Sequence, residues 1–160
     1  MKTLYGSLLL AGLALLFVPL VNGQTTTFTA TLSGSDAVPA VTTPAQGTAT
    51  FELSQNGDSL SYTLSVSDIE NVTMAHIHIG PPGKEGPVGV WLYPSKPPAS
   101  TKEGKFSGEL AKGTITAADL SGALKGKTIA DLVTDIKDGD AYVNVHTTAH
   151  PAGEIRGQIK

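Results

Sequence analysis

The sequence predicts an all-β domain, an antiparallel β-sandwich of Ig-like, Greek-key type with one or two short helices in a crossover. Two patterns carry the β assignment: apolar residues alternate with polar ones over many short runs, and glycine and proline, 18 and 10 in 160 residues, punctuate those runs as turns. A third pattern places the helices, because apolar residues recur at helical spacing only between residues 116 and 137.

Residues 1–23 read as a signal peptide ahead of that domain. Lys2 supplies the positive start, residues 8–21 (LLLAGLALLFVPLV) are apolar, and Val21 and Gly23 sit at positions −3 and −1 of a cleavage before Gln24. An uncleaved membrane anchor is the alternative, but the apolar run reaches only about 17 residues and Pro19 interrupts its end. Cleavage leaves residues 24–160, 137 residues, enough for one domain with a substantial core.

The elements follow in order. Phe28, Ala30 and Leu32 alternate with threonines in a first strand, and Ser33 to Gln46, with Pro39 and Pro44, reads as a long loop or interrupted edge strand. Ala49, Phe51 and Leu53 make a second strand, and Leu60, Tyr62, Leu64 and Val66 a third. Asn56-Gly57 between them favours a tight type I′ hairpin. Residues 72–79 form a strand containing His76 and His78, followed by the loop Gly80 to Pro87. Val88, Val90 and Leu92 resume the strand pattern with Trp91 facing the other way, and Lys105 to Thr116 is mostly strand. Thr116-Ala-Ala-Asp119 and Thr128-Ile-Ala-Asp131 both read as capping boxes. Ile129, Leu132, Val133 and Ile136 then define a helix, which Lys137 and Gly139 end. Residues 140–147 and 153–159 are the last strands, joined through Pro151-Ala152-Gly153 as a closing hairpin. No internal repeat is found.

Composition excludes several function classes. Removal of Lys2 leaves ten basic and fourteen acidic residues, a net charge of −4 with neutral histidines. The acids are scattered, so neither nucleic acid nor an anionic membrane surface is expected as a partner. The chain has no cysteine, which excludes disulfides, blue-copper sites, iron–sulfur clusters and thiol nucleophiles.

The candidate chemistry lies in the four histidines, His76, His78, His146 and His150. On a strand, Met74, His76 and His78 share one face while Ala75, Ile77 and Ile79 share the other. Residues two apart on that face are about 6.5–7 Å apart at the backbone, so two imidazoles converge on one ion at about 2.0–2.1 Å. Tyr142, Asn144 and His146 alternate in the same way with Val143 and Val145, and pairing the two strands brings His146 beside His76 and His78. Neutral imidazoles of this number suit copper or zinc. Met74 on the same face offers a soft copper ligand or plain packing, and Asn144 or Tyr142 offers a hydrogen bond to orient an imidazole. Since a proton competes with the ion for each nitrogen, affinity is expected to fall between roughly pH 7 and 5. Glu154 and Arg156 read as a cross-strand or local charge pair, and Asn71-Val72-Thr73 fits the glycosylation acceptor pattern.

These stretches also carry a resemblance. Leu32-Ser-Gly34 through Val38-Pro39, Gly47-Thr-Ala-Thr-Phe51, Ala75-His-Ile-His-Ile-Gly80 with Gly86-Pro-Val88, and Gly113 to Leu120 resemble segments of the CHRD domain, named from its occurrence in chordin. Tyr142-Val-Asn-Val-His146-Thr147 and Pro151 to Gln158 resemble its ending, so nearly all of residues 24–160 is covered. The resemblance implies a secreted, extracellular or periplasmic β-sandwich and leaves its activity open. Many members lack a histidine at the place of His150, which makes that residue the weakest ligand of the four.

Three readings follow: a metal-binding module holding copper or zinc, a structural or adhesive extracellular module whose histidines are incidental, and a metal-dependent redox enzyme similar to superoxide dismutase. Copper/zinc superoxide dismutase is another β-sandwich with a His-x-His, but four histidines are too few for its two-metal set. No acid stands at a telling spacing beside the histidines, no catalytic residue is assigned, and the expectation leans away from an enzyme. A second copy of the chain or another extracellular protein remains open as a partner.

Overall fold

A computed structural model describes residues 25–160; the signal peptide expected at residues 1–23 lies outside the described residues. Seven strands and one α-helix follow in chain order: β1 Thr26–Ser33, β2 Gln46–Leu53, β3 Ser59–Ile79, β4 Val88–Tyr93, β5 Lys102–Thr116, α1 Ile129–Lys137, β6 Ala141–Thr147 and β7 Ile155–Gln158. Single 3₁₀ turns at Gly34–Asp36, Ala117–Asp119 and Gly122–Leu124 complete the list.

All pairings between strands are antiparallel, and β3 organises them. Leu64 pairs with Ala49 of β2 on one edge and Ala111 of β5 on the other, and Val72 pairs with Thr147 of β6 and Lys102 of β5. So β2 and β6 share one edge of β3, while β5 and β4 share the other. From β2 the ladder runs through β1, β7 and β6 and returns to β3, closing a barrel-like ring. Its narrowest seam is β1–β7, where Ser33 pairs with Arg156 and Thr29 and Lys160 exchange two backbone bonds of 2.8 Å. The sequence led to an expectation of two stacked sheets in Ig-like, Greek-key order; the chain forms one closed sheet. The cause is the length of β3, 21 residues, which lets one edge pair with both β2 and β6 and so joins what would be two sheets.

That length was concealed by parity. Leu60, Tyr62, Leu64 and Val66 are buried at even positions, then Ile69, Val72, Ala75 and Ile77 follow at mixed parity. Pairing with β5 slips between Val66 and Ile69 and again between Glu70 and Val72, at Asp68 and Asn71, both with φ of +52°. Each extra residue bends the strand and resets which face points inward. Asn71, of the glycosylation pattern, accepts the Gly104 N–H with its Oδ1 at 2.7 Å and so ties the second bulge to β5.

The β2–β3 hairpin pairs Phe51 with Tyr62 and Leu53 with Leu60 as expected. Its connection is longer than the type I′ turn expected at Asn56-Gly57. Gly57 alone has positive φ, +74°, its N–H bonds Ser54 O, and Ser54 N–H bonds Ser59 O. A type I′ turn needs positive φ at both central residues, so this is a longer loop with a left-handed glycine.

Both capping boxes form. At α1 the Asp131 carboxylate accepts from Thr128 N–H and Oγ1–H at 2.8 Å each, which holds its pKa below the ordinary value, and Thr128 Oγ1 accepts from Asp131 N–H at 3.2 Å. Ile129, Leu132, Val133 and Ile136 put the apolar stripe of the helix into the same core as Phe51, Leu64, Ile77, Val143 and Ile155.

Candidate metal centre

The histidines occupy the sheet face opposite that core. Ala75 and Ile77 of β3, and Val143 and Val145 of β6, are buried in the core, so period-two alternation sends His76, His78, Asn144 and His146 to the other side. Antiparallel pairing sets Met74 opposite His146, His76 opposite Asn144 and His78 opposite Tyr142, and β7 adds Arg156 beside Asn144 and Gln158 beside Tyr142. Three histidines therefore meet on two adjacent strands, as the alternation predicted.

This face is covered rather than solvated. His76, His78 and His146 are 3 %, 9 % and 6 % exposed. Trp91 of β4 stands edge-on to His76 with ring centres 4.3 Å apart, and Tyr142 stacks on His78 at 5.1 Å and 11°. The loop Gly80–Pro87 folds over the rest. It is tied down by Ile79 N–H to Pro87 O, by Gly86 N–H to Tyr142 Oη at 3.0 Å, and by His78 Nδ1–H to Gly86 O at 2.8 Å. Glycine is required at 86, because a Cβ there would collide with the Ile79 carbonyl.

Hydrogen bonds fix the tautomers. Gly86 O and Pro151 O can only accept, so Nδ1 of His78 and Nδ1 of His146 (2.8 and 2.9 Å away) each carry a proton and each Nε2 carries a lone pair. Backbone carbonyls behind the imidazoles are the usual arrangement of metal-binding histidines. His76 Nδ1 lies 3.3 Å from His146 Nε2, while Nε2 of His76 and Nε2 of His78 are buried with no partner among the described residues. A buried polar atom without a partner costs about 1–3 kcal/mol, and two adjacent ones ask for a ligand. One nitrogen from each of the three rings lies within 4.8 Å of the others, and among the described residues no carboxylate or fourth histidine joins the group.

Burial is the main cause of depressed basicity at all three rings. It lowers His76 to about 3, with His146 and then His78 adding to the effect, and it lowers His78 and His146 against the opposing pull of their carbonyl partners. Neutral imidazoles at neutral pH are the metal-binding form, and the proton competition expected between pH 7 and 5 moves downward in the folded chain.

Other residues singled out from the sequence lie elsewhere or act differently. His150 is not in the group: it sits in the β6–β7 turn, where its carbonyl accepts from Thr147 N–H and Gly153 N–H. Asn144 gives its Nδ2–H to Ala152 O at 3.0 Å, leaves Oδ1 unpartnered, and bonds no imidazole. Tyr142 orients His78 by stacking and by holding Gly86. Met74 is half-buried beside His146 in register. Glu154 and Arg156 do not form the expected pair, because Glu154 lies just before β7 and each side chain has its own partners. Glu154 accepts from Thr43 Oγ1–H at 2.6 Å and Thr147 Oγ1–H at 2.7 Å. Arg156 donates to Lys84 O at 2.8 Å and Pro81 O at 3.0 Å, with its guanidinium 3.5 Å over the Tyr142 ring. The only signal for Trp91 and Arg156 as walls of the site was their alternation; the folding back of the Gly80–Pro87 loop had none.

Fold and site together define a class: a closed antiparallel β-domain carrying three buried, neutral histidines on one face. The CHRD domain family model matches residues 28–159, and the chain belongs to that family. No curated protein and no solved structure matches the chain. Among the described residues, no helix is long and apolar enough to cross a membrane.

Proposed function

We propose that the chain is a secreted module, exported by residues 1–23 and folded from residue 24 onward, that binds one copper or zinc ion through His76, His78 and His146. The observation that carries this reading is the pair of unpartnered, buried Nε2 atoms on His76 and His78, set beside a His146 whose Nδ1 is spoken for. An incidental cluster of surface histidines would leave these nitrogens exposed; here Trp91, Tyr142 and the Gly80–Pro87 loop cover them. Three imidazoles and no acid suit a borderline or soft transition metal over calcium or magnesium, which take oxygen ligands. The donor set fits binding or storage, and an N-terminal leader implies an extracellular setting.

Trp91, the only tryptophan, supplies the test, because its ring touches His76. Protein purified without an affinity tag is analysed for metal, stripped, and titrated with copper(II) at pH 7 while tryptophan fluorescence is followed. The expected result is one ion per chain, strong quenching by copper, and little quenching by zinc, which copper, the tighter-binding ion at imidazole sites, then displaces. Alanine at His78 or His146 removes the response. Wild type that binds neither ion would instead support a structural or adhesive module.

A further inference from the structure

A cleft of about 210 Å³ opens beside the triad, lined by His78, Asn144, Tyr142, Gly86, Arg156 and, at its rim, the exposed Glu85. Two side chains in its wall are polar, more than nine-tenths buried and under-used. Arg156 is 3 % exposed, and two of its five N–H donors go to the Lys84 and Pro81 carbonyls. No carboxylate pairs with it among the described residues; the Tyr142 ring, those two carbonyl dipoles and the more distant Asp36 and Glu85 carboxylates compensate its charge. Asn144 is 7 % exposed, and its Oδ1 is an acceptor with no donor. Register makes the two neighbours, Arg156 opposite Asn144 and Asn144 opposite His76, in one row across β7, β6 and β3.

A buried cation without an anionic partner is costly, and it is held here by a loop that also holds His78. Three imidazoles leave copper or zinc one position short of a tetrahedron, and an exchangeable ligand has to enter from a side that protein atoms leave free. We infer that the ion bound by the triad accepts a small monoanion, of the size of azide or formate, from this cleft as its fourth ligand, with Arg156 supplying the attraction. The step is a ligand exchange. A lone pair of the anion forms the bond to the ion, the water it displaces leaves, and no oxidation state changes. Glu85 opposes the entry: its carboxylate stands at the mouth and lies close enough to Arg156 and His78 to favour the protonated form of each.

The inference rests on the metal reading, and one experiment separates the two. Copper(II)-loaded full-length mature chain is titrated with azide at low ionic strength, and both the copper EPR spectrum and the azide-to-copper charge-transfer absorption are recorded. Wild type is expected to show a saturable change. Glu85→Gln, a surface change that breaks no hydrogen bond, is expected to tighten azide several-fold, and added salt to shrink that difference. Arg156→Gln is expected to weaken azide at least ten-fold at saturating copper, and Glu85→Gln, which keeps the ties of Arg156 to the loop, tests the charge alone. Copper bound with no azide response, or an unchanged azide affinity in Glu85→Gln, would overturn the anion site and leave the metal site standing. If copper does not bind at all, both fall.

Discussion

His150 and His146 are the same residue type four positions apart, and the structure gives them opposite fates. His146 lies on β6 with its Nδ1–H fixed on Pro151 O, whereas His150 sits in the turn beyond and contributes its backbone to Thr147 and Gly153. Alanine at His150 is therefore expected to leave copper affinity within about two-fold of wild type, since the backbone bonds survive the substitution. Alanine at His146 is expected to abolish binding. Isothermal titration with copper(II) at pH 7 on both variants makes the comparison, and a His150→Ala chain that loses affinity as His146→Ala does would return His150 to the ligand set. Gly153 shows a related constraint, for a Cβ there would collide with the Asn144 carboxamide. The residue types of the site were legible in the sequence because alternation over residues 74–79 and 142–146 is unbroken by any bulge within either segment's pairing with the other. What the side chains do was not legible. Whether an imidazole meets water or a carbonyl depends on the Gly80–Pro87 loop, whose path is set by contacts with Tyr142, Arg156 and Gln158, 56–78 residues away.

At the scale of elements, β3 explains both what the sequence revealed and what it hid. Its first half reads plainly, Leu60 to Val66 alternating against Ala49 and Phe51, and its last half reads plainly as well. The bulges at Asp68 and Asn71 between them make one strand look like two, so the closure of the sheet was invisible to parity. The hairpin that feeds β3 gives a test. Gly57 holds φ of +74° in open space, with no atom within 4 Å of where a Cβ would stand. A substitution there meets backbone strain and no collision. Gly57→Val is expected to cost about 1–2 kcal/mol, the penalty of a β-branched residue in the left-handed region, and Gly57→Asn distinctly less. Urea unfolding with an unchanged m-value reads the difference. Equal midpoints for glycine, asparagine and valine would show that this loop does not hold the left-handed turn.

For the molecule as a whole, three neutral histidines buried together make the metal-free fold sensitive to acid, and the sign is fixed by their direction of shift. An unfolded histidine titrates near pH 6.5, while in the folded chain burial lowers all three, His76 to about 3. Below about pH 6.5 the unfolded chain takes up protons that the folded chain refuses, so stability declines as pH falls. Each histidine fully in that window contributes a slope of about 1.4 kcal/mol per pH unit, and its loss ends only when the pH passes below its folded value. Carboxylates add little above pH 5. Asp131, lowered by its bonds to Thr128, acts in the same direction but further down, and Asp135, raised by burial and neighbouring acids, acts in the opposite one. Urea midpoints of chelator-treated protein from pH 7.5 to 5 are thus expected to fall steadily below about pH 6.5, and more gently for His76→Gln, which removes one titrating group. Copper or zinc at neutral pH should raise the midpoint, because the ion binds the folded chain and finds no assembled site in the unfolded one. That gain should vanish in acid as protons take the same nitrogens. A metal-free chain equally stable at pH 7.5 and 5 would mean that the three rings are not held neutral and buried, and the case for a built site would lose its footing.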